Sequence, residues 1–243
     1  MFIPTTSIAF ILLSVTLGFC GVRFFKAFQR NRVLQENSRI GFLLALYFFG
    51  FAFQTGIILG LGTLLFASSS QGLYFIVLSA NIFLSFLAVF SVYIAYYIFH
   101  PQASPLPVMI SVFSLGFFTV ALTIAFHPVP FVTPAIGVDW NMPLPLSLSL
   151  FYLLLTSIGV QLYIFTNLFL RATTREIKVL SFLVAALALG SMIDAFLRFV
   201  LFHTATADFR TRIYDLVNGL IGLGFIVAII VTSFIQNRVK AGK

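Results

Sequence analysis

The chain has 243 residues, of which 60% are hydrophobic and 8% charged, and its mean hydropathy is +1.10. A soluble domain carries about 25% charged residues, so 6 acidic and 14 basic groups cannot hold 32 Phe in water. These figures exclude a water-soluble globule, and the continuous apolar runs exclude the short alternating segments of a transmembrane barrel.

A helix needs about 20 apolar residues to cross the hydrocarbon core of a bilayer. Seven stretches meet that length: 6–26, 40–66, 72–99, 105–126, 146–170, 177–203 and 212–236. The predicted fold is all-α, a single seven-helix transmembrane domain covering 1–243. Met1 to Ser7 carries no Lys or Arg, whereas a secretory signal opens on a basic segment. Span 1 is therefore expected to stay as an uncleaved anchor. Cys20, the single cysteine, reads as a small buried hydrophobe, with no internal disulfide available.

Span 1 leads into a basic loop with Arg23, Lys26, Arg30, Arg32 and Arg39. In span 2, Gly56 and Gly60 form a GxxxG pair, which permits close helix packing or a dimer face. Ala186 and Gly190 in span 6 offer the same choice. The glycine-rich runs 56–62 and 219–224 look alike but lie on helices of opposite direction, so they do not indicate duplicated halves. Ala67 to Gly72 is a polar breaker between spans 2 and 3. His100-Pro101 ends span 3, and Ser104-Pro105 starts span 4, because proline stops a helix and suits a first turn.

The longest loop, about 127–145, holds Pro128, Pro130, Pro134, Asp139, Trp140 and Pro143. Such a stretch is expected to be stiff and non-helical. Two roles fit it: a packed connector with Trp140 as an interfacial anchor, or a lid that touches a ligand. After span 5 come Arg171, Arg175 and Lys178, and after span 7 come Arg238, Lys240 and Lys243. Only Arg198, Arg210 and Arg212 lie toward the other side. Basic loops stay in the cytoplasm, so the N-terminus is expected outside and the C-terminus inside. The basic charge then serves topology and attracts anionic lipid at the cytoplasmic face rather than nucleic acid.

Charged residues within a span cost several kcal/mol unless paired or hydrated. Span 6 holds Asp194 and Arg198 at i,i+4, on one helix face with the acid first. Span 7 opens with Arg212, Asp215 and Asn218. At about 1.5 Å per residue, Arg198 and Asp215 lie at similar depths, roughly 7 and 5 Å from the outer ends of their spans. The predicted cluster is Asp194, Arg198, Asp215 and Asn218, either a salt-bridged clamp on the last hairpin or a ligand- or proton-sensing site. The amides Gln54, Asn81, Gln161 and Asn167 sit in spans 2, 3 and 5. They read as hydrogen-bonding glue between helices, and a shared pocket would require them to converge with Asn218.

No catalytic site is expected. His100, His127 and His203 fall at span ends, and although His127 and His203 share an edge, no Cys or carboxylate partner makes a metal or haem site. Nucleophile motifs, P-loops and dinucleotide fingerprints are missing from the sequence. Span 7 has no lysine for a rhodopsin-type Schiff base.

The outside N-terminus, the basic Arg23–Arg39 loop, the aromatic Tyr93-Ile94-Ala95-Tyr96-Tyr97 run and the Leu-rich Phe151–Leu155 run resemble the seven-helix sensor modules found in front of bacterial histidine kinases. The resemblance spans the whole chain at the level of topology and texture. It implies a sensor-like or signal-coupling module in the bacterial inner membrane. The sequence closes shortly after span 7, so signal output is expected to pass through another membrane or signalling protein. The alternatives are an accessory subunit of a larger membrane complex and a small-solute transporter. None of the three requires a cofactor.

Overall fold

The computed structural model describes residues 3–33, 38–134, 137–172, 175–202 and 204–241. It is almost wholly helical. Helix α1 covers Thr5–Val33, and α2 covers Ser38–Phe53, runs on as a π-helix over Gln54–Leu61 and closes as α3, Gly62–Phe66. Then come α4 Ser70–Phe99, α5 Leu106–Phe126, α6 Leu144–Arg171 and α7 Arg175–Phe196. A second π-helical turn, Leu197–Leu201, extends α7 before α8, Ala207–Ala241. Among the described residues six helices are long and apolar enough to cross a membrane.

Local chemistry sets the ends. The Ser69 hydroxyl accepts the Gly72 N–H at 3.0 Å and caps α4, satisfying one of the donors that every helix start leaves orphaned. Pro105 and Pro143 stand at the starts of α5 and α6, where the missing N–H costs nothing. His127 ends α5 in the left-handed region, at φ 41°.

Neighbouring helices pack in chain order: α1 on α2, α2 on α4, α4 on α5, α5 on α6, α6 on α7 and α7 on α8. Helix α8 returns to α1 and closes the ring, while α4 also packs directly on α6 and leaves α5 outside it. Outward residues of α5 such as Phe113, Phe117 and Phe118 are accordingly exposed. The main apolar core joins α1, α2, α4, α6 and α7 around Phe48, Ile94, Phe165, Ile164 and Val184, and Cys20 is buried within it.

The glycines of span 2 serve contacts inside the chain. A Cβ on Gly56 would overlap Ser14 Oγ and lie 2.8 Å from Ser14 Cβ, and one on Gly60 would lie 2.9 Å from Ile11 Cγ1. Helix α1 thus rests directly on the π-helical backbone. Ser14 Oγ donates to the Ala52 carbonyl at 2.7 Å, and Thr55 Oγ1 donates to that of Phe51 at 2.8 Å. Hydroxyls inserted at successive carbonyls are a recognised cause of helix distortion. Gly56→Leu is expected to wedge α1 from span 2 and cost about 1–3 kcal/mol or more. Gly219→Leu should cost far less, since a Cβ there meets nothing within 4 Å. Thermal melts of the two purified variants test this, and equal losses would refute it.

The loop after α5 is non-helical, as expected, and it also holds a short strand pair. Phe131–Val132 and Val138–Asp139 form a short antiparallel pair, β1 and β2, with Phe131 opposite Asp139 and Val132 opposite Val138. Residues 137–140 are all buried. Trp140 is 5% exposed and packs 6.5 Å from the Phe10 ring, so it is part of the protein interior and not an interfacial anchor. An indole meets its polar and apolar needs as well under a loop as at a lipid headgroup, and sequence position alone does not separate the two.

Candidate functional site: a mostly apolar cavity beneath a latched loop

A cavity of about 180 Å³ lies inside the ring. Its wall comes from α1, α2 with its π-helical extension, α4, α6, α7 with its own extension, α8, and Trp140 and Met142 of the loop. Most of the lining is apolar, with Leu13, Leu17, Phe51, Leu154 and Leu187 prominent. Polar side chains interrupt it at several points.

Gln54, Asn81, Gln161, Asp194, Arg198 and Asn218 all line this cavity. The amides predicted as packing glue therefore converge with Asn218, and two of them also bind neighbouring helices. Gln54 Nε2 donates to the Ala80 carbonyl at 2.9 Å, and Asn81 Nδ2 donates to Thr123 Oγ1 at 2.9 Å. Asn167 does not join them: its amide donates to the Tyr163 carbonyl on its own helix at 2.9 Å, on an exposed face.

The four residues of the last hairpin divide. Asn218 of α8 lines the cavity beside Asp194 of α7, and Asp194 Oδ1 is buried with no hydrogen-bond partner. Arg198 makes no ion pair among the described residues. Its guanidinium carbon lies 4.9 Å from the Tyr214 ring centroid and 5.3 Å from that of Phe199. Tyr214 in turn donates its hydroxyl to the Arg198 carbonyl at 2.7 Å. The hairpin is held by that hydrogen bond and by cation–π contact, in place of a salt bridge from Arg198. Asp215 turns to α1, where its Oδ2 accepts from Thr5 and, at 3.0 Å, from Thr6.

Sequence reasoning missed the groups that fasten the loop. Arg210 Nη2 pairs with Asp139 Oδ2 at 2.7 Å. Asp139 Oδ1 accepts the Asn141 N–H at 2.8 Å, a local turn that sets Asn141 at φ 47°. Thr6 Oγ1 accepts the Val138 N–H at 2.9 Å. Gly137 fits under this knot because it lacks a side chain: a Cβ there would overlap Thr211 and stand 2.7 Å from Asp215 Oδ2. The available signal was a lone acid, Asp139, in an apolar loop at the same end of the bundle as Arg210.

A smaller pocket of about 30 Å³ lies beneath the loop, lined by Asp139, Trp140, Arg210, Tyr214 and also Arg198. Arg198 thus stands between the loop and the main cavity. His127 packs on Tyr74 with ring centroids 3.9 Å apart, and His203 lies outside the described residues. Among the described residues, no three His, Cys, Asp or Glu gather as metal ligands.

Comparison with known proteins finds no matching family model, no matching curated protein and no matching solved structure.

Proposed function

We propose that the chain is a non-enzymatic, sensor-like membrane module that binds a small molecule in its central cavity and reports occupancy through a partner protein. One observation carries the reading: six amide or charged side chains from five helices converge on one mostly apolar cavity under a fastened loop. That combination is the usual form of a small-molecule site, and ionisable groups in a membrane interior are expensive to keep without a use.

In this reading α8 supplies a seventh span, since 216–234 contains no charged residue. Seven spans put the two ends on opposite sides. The Arg23–Arg39, Arg171–Lys178 and C-terminal basic groups then face the cytoplasm and its anionic lipid. The cavity mouth, under the 127–145 loop, faces outward from a bacterial inner membrane. A reporter that works only in the cytoplasm, fused after Lys243, is expected to be active. Activity of an export-dependent reporter at that position would reverse the orientation.

A thermal-shift screen of the purified chain against small metabolites tests ligand binding. A compound at 100 times its Kd stabilises by about 2.7 kcal/mol, and Asp194→Asn is expected to lose most of that shift while expression stays normal. A broad panel with no stabilising compound would sink the reading.

Transport is the second reading, favoured by the π-helical segments. Each carries a cavity-lining polar residue, Gln54 in one and Arg198 in the other, and transport sites often use interrupted helices. Tracer uptake into proteoliposomes separates the two: saturable binding without uptake supports the sensor, and uptake supports the transporter. Stoichiometric co-elution of other membrane chains on native purification would favour the accessory subunit.

A further inference from the structure

We infer that the cavity takes a zwitterionic ligand: an amino-acid-like molecule whose ammonium meets Asp194, whose carboxylate meets Arg198 and whose apolar body fills the depth below. The inference rests on the ligand-binding reading above and narrows it to a chemical class.

Asp194 and Arg198 lie about one helical turn apart and both line the cavity. They carry opposite charges, yet no ion pair joins them. Asp194 is 7% exposed and its Oδ1 is buried without a hydrogen-bond partner. The Arg198 guanidinium is placed against two aromatic rings. Contact of that kind uses the flat face of the group and leaves its N–H edge for a carboxylate, which it can hold with two parallel bonds.

The charges also have an order. Arg198 lines the small pocket beneath the loop as well as the main cavity, so it is the one nearer the mouth. Asp194 and Asn218, which line the main cavity but not the small pocket, follow inside. A ligand entering from the loop end therefore seats its carboxylate at the mouth and its ammonium deeper. Leu187, Leu154 and Leu17 then offer an apolar channel for the remainder. The volume, about 180 Å³, is somewhat above the roughly 150 Å³ of an engineered cavity that accepts benzene. A side chain of leucine or phenylalanine size suits it.

Competing ligand classes leave a charge stranded. A simple amine would satisfy Asp194 and face Arg198, a simple acid would do the reverse, and an apolar molecule would leave both. A charge left unpaired in the interior is costly, most of all at buried Asp194 and less at half-buried Arg198, and a dipolar ligand pairs both.

The test is equilibrium dialysis on the full chain in lipid nanodiscs. The probes are L-leucine and L-phenylalanine, the amines lacking their carboxylate, the acids lacking their amine, and toluene. Saturable binding of at least one amino acid is expected, with its amine and acid counterparts at least tenfold weaker. Arg198→Ala should bring the amino acid down to the level of its amine, and Asp194→Asn down to the level of its acid. If Arg198→Ala does not fold, the unmodified chain with the probe series decides alone. An amine, an acid or toluene binding as tightly as the amino acid overturns the zwitterion assignment and leaves ligand binding standing. Binding of no probe also overturns it, and the broader metabolite screen then judges the ligand-binding reading separately.

Discussion

Replacing Asp139 with alanine is expected to cost about 3–5 kcal/mol, the range for breaking a buried ion pair from one side. Asp139 and Arg210 are 8% and 17% exposed, and their contact is 2.7 Å. The loss does not stop at the pair. Asp139 also accepts the Asn141 N–H, so its removal frees the turn that places Trp140 and Met142 over the cavity. Hydrogen exchange at Val138 to Asn141 should rise in Asp139→Ala, along with a lower thermal midpoint in detergent. Combining Asp139→Asn with Arg210→Gln should cost less than the sum of the single changes, because the two act through one contact. Unchanged exchange in the loop would show that Arg210 does not fasten it.

Phe48→Ala is the second large effect, about 3–5 kcal/mol by the measure of buried aromatic truncations. Phe48 is fully buried. Its ring stacks on Phe24 at 5.4 Å with planes 6° apart, lies 6.0 Å from Phe165 and meets Tyr47 edge-on at 5.7 Å. In lipid such packing supplies helix association without help from water exclusion, so the void left by alanine forfeits dispersion contacts outright. Phe117→Ala on α5 is the control. That ring is 69% exposed, lipid can fill the space it leaves, and little change in the melting midpoint is expected. Equal destabilisation by the two substitutions would mean that α5 is packed against something else.

The helices were legible because lipid imposes a length and a polarity that the sequence displays directly. The expected span 72–99 appears as Ser70–Phe99, 105–126 as Leu106–Phe126 and 146–170 as Leu144–Arg171. The two π-helical segments were not legible. The one over Gln54–Leu61 lies where α1 approaches Gly56 and Gly60 and where the Ser14 hydroxyl meets the Ala52 carbonyl, a tertiary neighbour that no local window contains. Charge at the last hairpin pointed to Asp194, Arg198 and Asn218, which line the cavity, but not to their contacts. Periodicity places Asp194 and Arg198 on one face, but it cannot show that the guanidinium prefers Tyr214 and Phe199 or that Asp215 turns to Thr5 and Thr6. Trp140 shows the same limit, since a lid and a headgroup anchor both call for a tryptophan beside prolines.

Ring closure by the first and last helices has a consequence for biogenesis. Thr6 meets Asp215, and Thr16 Oγ1 donates to the Gly222 carbonyl at 3.3 Å, so α1 waits for a partner made at the end of translation. Chains are built from the N-terminus at roughly 5–20 residues per second. Until α8 arrives, Asp194 lacks Asn218, Arg198 lacks Tyr214 and Asp139 lacks Arg210. The nascent protein must hold these charges without their final neighbours, and the central cavity gains its last wall only when α8 docks.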